Sequence, residues 1–252
     1  MGEGTAGAAR TARGAQTRAL ILETALELFR ERGYEDTTMR AIAERAGVAL
    51  GSAYYYFRSK EELVQSFYGR MHREHVQASA RVLRTERALR ERLLGVMRAR
   101  LETMEPYHRF AGVLFRTAAD PRSPLNPFSE ASRAVREENT ALFAEVVRGA
   151  RDGRVPAELA AELPELLWTY SMGITLFWIH DDSPGRARTH RLTERTVDLV
   201  VQLVKLASLA PLRPLRASVL GLLAELRAPT APAPGDTPAA APPPPDGPRR
   251  GR

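Results

Sequence analysis

The chain holds 252 residues, 44% of them apolar and 27% charged, with a formal net charge of +7 and no cysteine. That length and balance describe a folded chain with a real core, and the positive charge favours an acidic partner such as nucleic acid. The missing cysteines exclude disulfides, thiolate zinc sites and cysteine nucleophiles.

In chain order, Met1 to Gly14 is small and polar and lacks the apolar centre of a secretory signal, so residues 1–16 are read as a disordered arm. Helical periodicity then begins. In a first helix over 17–33, Ile21, Ala25, Leu28 and Phe29 fall at i, i+4, i+7 and i+8, on one face. Gly33 ends it as a C-cap glycine. Thr37 and Thr38 offer hydroxyls to the orphan amides of a second helix over 38–46, where Met39, Ile42, Ala43 and Ala46 repeat at i, i+3, i+4 and i+7. Gly47 permits a tight turn into a short third helix over 50–57. Two short amphipathic helices joined by a glycine turn make a helix-turn-helix, which places a DNA-binding domain at 17–63.

Helical geometry sorts the third helix. At about 100° per residue, Ala53 and Phe57 share its core side, Tyr55 points away, and Tyr54 and Tyr56 sit on the shoulders. Gly51 and Ser52 flank Tyr55, and Leu50 lies nearer the core. One helix cannot bury three adjacent phenols, so at least one faces out. Small residues at the N-terminal end and phenols beyond suit a major groove, with bases met first and phosphates by the hydroxyls. Ser59-Lys60-Glu61-Glu62 opens a capped fourth helix, whose free amides with Lys60 form a phosphate site.

The run Ala25-Leu26-Glu27-Leu28-Phe29, then Gly33-Tyr34, Thr37-Thr38, Ile42-Ala43, Ala46-Gly47-Val48 and Gly51 through Leu63 resembles the DNA-binding domain of the TetR family of regulators. The resemblance covers about 45 residues. It implies that Thr38 caps its helix against a phosphate and that Arg40 contacts a base or phosphate. It further implies that Leu50, Gly51 and Ser52 face bases, and that Tyr54, Tyr55, Tyr56 and Lys60 hold the backbone. Two positions depart from the family pattern: Leu50 stands where a polar or basic residue is frequent, and Tyr56 where histidine is common. Leu50 offers only apolar contact, such as to a thymine methyl, which shifts specificity toward Arg40, Ser52 and DNA shape. Arg10, Arg13 and Arg18 of the arm are candidates for a neighbouring minor groove, beside the plainer reading of generic attraction.

Further helices are expected over 60–84, 87–104, 107–119, 127–150, 157–180 and 187–208, with a tenth over 214–227. No alternation supports a strand, so the fold class is all-α: a three-helix helix-turn-helix domain followed by a larger helical domain at 64–227. Ala228 to Arg252, rich in proline, is read as a disordered tail. The resemblance makes the large domain regulatory and dimerising. Met97, Met104, Phe110, Phe115, Trp168 and Met172 are candidates to line a hydrophobic ligand cavity, plain core being the alternative for each. Leu192, Val197, Val200, Val201, Val204 and Leu206 put apolar surface on more than one side of their helix, which fits a homodimer through 157–180 and 187–208.

His72 and His75, at i and i+3, give a weak metal spacing and read more simply as a solvated helix face, and His180-Asp181-Asp182 as a charged helix end. No glycine-rich phosphate loop or paired-carboxylate constellation occurs, so neither an enzyme nor a cofactor or metal is expected. Leu166 to Ile179 is too short and too interrupted to span a bilayer, which leaves no membrane partner and an expected cytoplasmic location. The sequence therefore reads as a regulator of a palindromic double-stranded DNA operator, a repressor released by a small hydrophobic effector. Two alternatives stay open: a constitutive or architectural DNA-binding protein without effector, and a helical interaction module whose motif no longer reads DNA.

Overall fold

Every element is helical in the computed structural model, which describes residues 3–153 and 155–227; the expected disordered tail lies outside them. Ten α-helices run in order: α1 (Glu3–Arg32), α2 (Met39–Ala46), α3 (Leu50–Tyr56), α4 (Lys60–Thr85), α5 (Leu89–Met104), α6 (His108–Ala118), α7 (Arg133–Arg148), α8 (Ala157–Ile179), α9 (Ala187–Ala207) and α10 (Arg213–Arg227). Two boundaries depart from the sequence reading. The expected disordered arm is instead continuous with α1, because its alanines are strong helix formers and no proline interrupts them. Conversely α7 starts six residues later than the expected 127, since Pro124 and Pro127 lack amides and the Ser129 and Asn126 side chains close turns over 123–132.

Two cores form. The first joins α1 to α4, with Ile21, Phe29, Ile42, Ala53, Phe57 and Leu63 fully enclosed. The second joins α5, α7, α8 and α9 around Leu93, Met97, Phe143, Trp178 and Val197. Helix α6 belongs to both parts of the molecule. Its Phe110 and Leu114 sit in the first core, with Phe110 stacked on Phe29 at 6.0 Å and edge-on to Phe67 at 5.2 Å. Its start is fixed to α8: the His108 ring lies 2.8 Å from the Trp178 carbonyl oxygen and 3.0 Å from the Arg186 guanidinium.

Two buried polar residues tie the second domain together. Asp181 turns α8 into α9 by accepting four hydrogen bonds of 2.7–2.9 Å, two from Ser183 and two from Thr189. Burial pushes its carboxyl up, but those four donors outweigh it and hold the group below the ordinary carboxylate range. On α5, Arg92 donates to the carbonyl oxygens of Leu83, Glu86, Glu145 and Val146 at 2.6–2.9 Å, clamping α4 and α7 to its own helix. A Cβ at Gly149 would collide with that guanidinium, which its four acceptors prevent from moving aside. Gly149→Ala is therefore expected to destabilise the fold by about 2 kcal/mol, read as a lower urea midpoint at unchanged slope. An unchanged midpoint would mean that the clamp yields freely.

Candidate functional site

The helix-turn-helix is set by its caps. Thr38, extended at its N-cap position, accepts from the Ala41 amide at 3.2 Å, and Gly47 closes α2 in a left-handed conformation at φ 66°. Thr37 is buried instead, its hydroxyl bonded to the Gly33 carbonyl at 2.7 Å. Ala53 and Phe57 face the core, as their spacing requires, while Tyr55 is 82% and Tyr54 49% exposed. Gly51, Ser52 and Arg40 are exposed beside them, and Tyr56 is half-buried with its ring edge-on to Tyr55. Leu50 is partly buried against the first core, which turns much of its side chain away from any groove.

Lys60 departs from its expected use. Its ammonium is turned inward, donating to the carbonyl oxygens of Tyr34 at 2.7 Å and Glu35 at 3.3 Å and lying 4.4 Å from the centre of the Tyr34 ring. Tyr34 in turn donates to Glu61 at 2.7 Å; burial first and that carboxylate second push its phenol far above the ordinary range. Lys60 thus braces the α1–α2 turn rather than standing free for a phosphate. At the start of α4, Ser59 accepts from the Glu62 amide at 3.3 Å, and Glu62 accepts from the Arg58 amide at 2.7 Å. Arg18 is likewise engaged, bonded to Ser66 at 2.8 Å and stacked on Phe57 at 4.6 Å. Arg13 is exposed, and the Arg10 side chain lies outside the described residues.

Beyond this domain, a cavity of about 620 Å³ opens between α4, α5, α6, α7 and α8. Met104, Phe115, Trp168 and Met172 line it as the sequence suggests. Met97 and Phe110 do not: both are fully buried, Met97 in the second core and Phe110 against Phe29 and Phe67 in the first. The α6–α7 segment covers one side, with the exposed Phe128 edge-on to Trp168 at 5.1 Å. The wall is mostly apolar but includes His72, His75, Arg100, Thr103, Asn139 and Thr175. Far from forming a solvated face, His72 and His75 are buried, because α5 and α7 cover that side of α4. No group of three or more potential metal ligands occurs among the described residues.

Comparison with known proteins matches residues 21–67 to the family described as bacterial regulatory proteins, tetR family, and residues 92–219 to the tetracyclin repressor-like C-terminal domain. This chain belongs to the TetR family. Among relatives of this TetR-family regulator, the transcriptional repressor KstR2 of Mycolicibacterium smegmatis is 27% identical over 173 residues, 65% of this chain and 80% of that protein. The transcriptional regulator TtgR of Pseudomonas putida is 45% identical over 60 residues, 24% of this chain and 29% of that regulator. In fold, the crystal structure of a TetR-family regulator from Syntrophomonas wolfei matches with a TM-score of 0.61 at 17% identity, covering 74% of this chain and 95% of that one. FadR of Bacillus subtilis, solved in complex with stearoyl-CoA, matches with a TM-score of 0.57 at 16% identity, over 73% and 97%.

The family assignment gives DNA binding and transcription regulation to the chain. Sequence reasoning missed the polar wall of the cavity. Arg100 on α5 carries no periodic signal, since its neighbours at i−4 and i+4 are Val96 and Met104, and an apolar face gives no reason to expect a guanidinium. The two histidines were visible, but only their burial marks them as part of the wall.

Proposed function

We propose that this TetR-family regulator is a dimeric repressor that holds a palindromic operator and is released when a small, largely apolar molecule fills the cavity. The observation that carries this reading is the double use of α6: Phe110 and Leu114 belong to the DNA-binding core, while Ala111, Leu114, Phe115 and Ala118 border the cavity. With His108 pinned to α8, a guest that presses on α6 moves Phe110 against Phe29 of α1 and Phe67 of α4, the helices on which α2 and α3 ride. Ligand and DNA then compete through one packed element with two arrangements, a coupling of typically about 1–3 kcal/mol.

Thr38, Arg40, Gly51, Ser52, Tyr54, Tyr55 and Tyr56 form the proposed DNA face, with Leu50 at its edge. Dimerisation is assigned to α8 and α9. On α9, Val197, Val201 and Val204 point into the core, whereas Leu199, Leu203 and Leu206 form a second stripe at the same spacing that is more than half exposed. Leu176 and Phe177 of α8 add to the exposed apolar surface, which fits burial against a second copy. Two recognition helices about 34 Å apart, or a multiple of it, would meet successive major grooves.

A ligand mimic tests the coupling. Ala111→Phe, placed in the cavity wall, is expected to weaken operator binding about 5- to 150-fold without any effector. Footprinting on the inverted repeat nearest the gene should show two protected half-sites at equal protein concentration. A single half-site held by a monomer would overturn the dimeric reading, and undiminished affinity in the filled variant would leave a regulator with no effector.

A further inference from the structure

The wall of the cavity carries a cation that meets no anion among the described residues. Arg100 is partly buried in the cavity wall, and desolvation pulls its guanidinium down to about 10, so it remains charged at neutral pH. Its hydrogen bonds go only to neutral groups and are long: Nε donates to Thr175 Oγ1 at 3.3 Å and Nη1 to Asn139 Oδ1 at 3.4 Å. The acids that touch neighbouring wall residues are engaged elsewhere. Glu138 faces His72 at 3.7 Å, and Glu105 accepts from the Trp178 indole at 3.2 Å. Arg136, the other guanidinium of the wall, donates to the carbonyl oxygens of Pro127 and Ser129.

Arg92, two turns earlier on the same helix, shows what a structural arginine does in this fold: four carbonyl acceptors at 2.6–2.9 Å take up its donors. Arg100 ties α5 to α7 and α8 far more loosely, a task that a neutral amide would perform without desolvating a charge. A guanidinium has five donors in a planar fork, and two of them are used here. We infer that the remaining edge of Arg100 holds the carboxylate of an otherwise apolar ligand, the fork meeting both oxygens while the chain or rings lie against Met104, Phe115, Trp168 and Met172. This assignment rests on the ligand-responsive reading above and narrows it from any apolar effector to an amphiphilic acid.

Trp168 and Trp178 are the only tryptophans, and both border the cavity, so their fluorescence reports its filling. Two matched pairs serve as probes: decanoate with decan-1-ol, and 1-naphthaleneacetate with 2-(1-naphthyl)ethanol. In the wild-type protein each carboxylate is expected to bind roughly tenfold or more tightly than its alcohol. In Arg100→Met the carboxylate loses that advantage while the alcohol still binds, which also shows that the variant is folded. Equal binding of acid and alcohol in the wild-type protein, or a preference that survives in Arg100→Met, overturns the carboxylate assignment and leaves the cavity reading standing. Failure of every probe to bind removes the effector reading and this assignment with it.

Discussion

Replacing Tyr54 and Tyr55 together by phenylalanine is expected to lower operator affinity about 10³- to 10⁴-fold while leaving the thermal midpoint of the protein nearly unchanged. Both rings are exposed, and neither hydroxyl bonds to any described residue, so the fold loses nothing when the oxygens go. In the proposed complex each hydroxyl would donate to a phosphate oxygen, worth about 1–1.5 kcal/mol net, and a two-fold dimer would make the contact twice. Because the lost donors are neutral, the slope of affinity against salt should stay the same. Arg40→Gln, by contrast, should flatten that slope by about one phosphate contact per half-site. Electrophoretic mobility shifts at several salt concentrations separate the two. Unchanged affinity in the double variant would mean that α3 does not touch the backbone, the outcome expected of a helical module that has ceased to read DNA.

The DNA-binding domain was legible because its determinants are local. Caps at Thr38 and Ser59, left-handed glycines at Gly33 and Gly47, and apolar residues at three- and four-residue spacing each act within a turn or two of chain. Which phenol points out of α3 follows from 100° steps alone, and the exposures of Tyr54, Tyr55 and Ala53 agree with that arithmetic. The inward turn of Lys60 has a cause that no local rule contains: its partners are carbonyls 25 and 26 residues away, brought within reach by the packing of α1 against α4. Leu50 is the intermediate case, correctly placed near the core by angle but credited with more reach toward bases than its burial leaves it.

The cavity was legible only in part, and the division is physical. Large apolar side chains near a cavity and in a core obey the same spacing, so Met104, Phe115, Trp168 and Met172 could not be distinguished from Met97 and Phe110 without knowing which faces meet. Phe110 shows the difference most clearly. One helical turn separates it from Leu114, yet Phe110 is committed wholly to the DNA-binding core and Leu114 touches both sides. The boundary between the cavity and the DNA-binding core thus runs through a single eleven-residue helix, and under the proposed ligand response a guest would have a short mechanical route from one domain to the other.

The second large effect concerns acid. His75 donates its Nε2 proton to the Val96 carbonyl at 2.9 Å, while Nδ1 faces the buried wall with no partner. Burial, then the Arg100 charge, and last the neighbouring His72 hold the imidazole down to about 3, against the modest opposing pull of the Val96 bond. The unfolded chain takes up this proton near the ordinary value of 6.5, whereas the folded chain does not until about pH 3. The stability that neutral His75 confers is therefore complete above pH 6.5 and drains away as the pH falls through the window down to about 3. At about 1.36 kcal/mol per pH unit, some 2 kcal/mol is lost by pH 5 and on the order of 5 kcal/mol across the whole window. His75→Gln keeps a donor for Val96 and has nothing to protonate, so its urea midpoint should fall less between pH 7 and 5 than that of the wild-type protein, at one fixed protein concentration. Parallel losses in the two proteins would show that His75 opens to water and titrates in the folded state as it does in the unfolded chain. A shallower loss in the variant would locate a principal acid sensitivity of the fold in the wall of the cavity itself, one helical turn from His72 and within the field of Arg100.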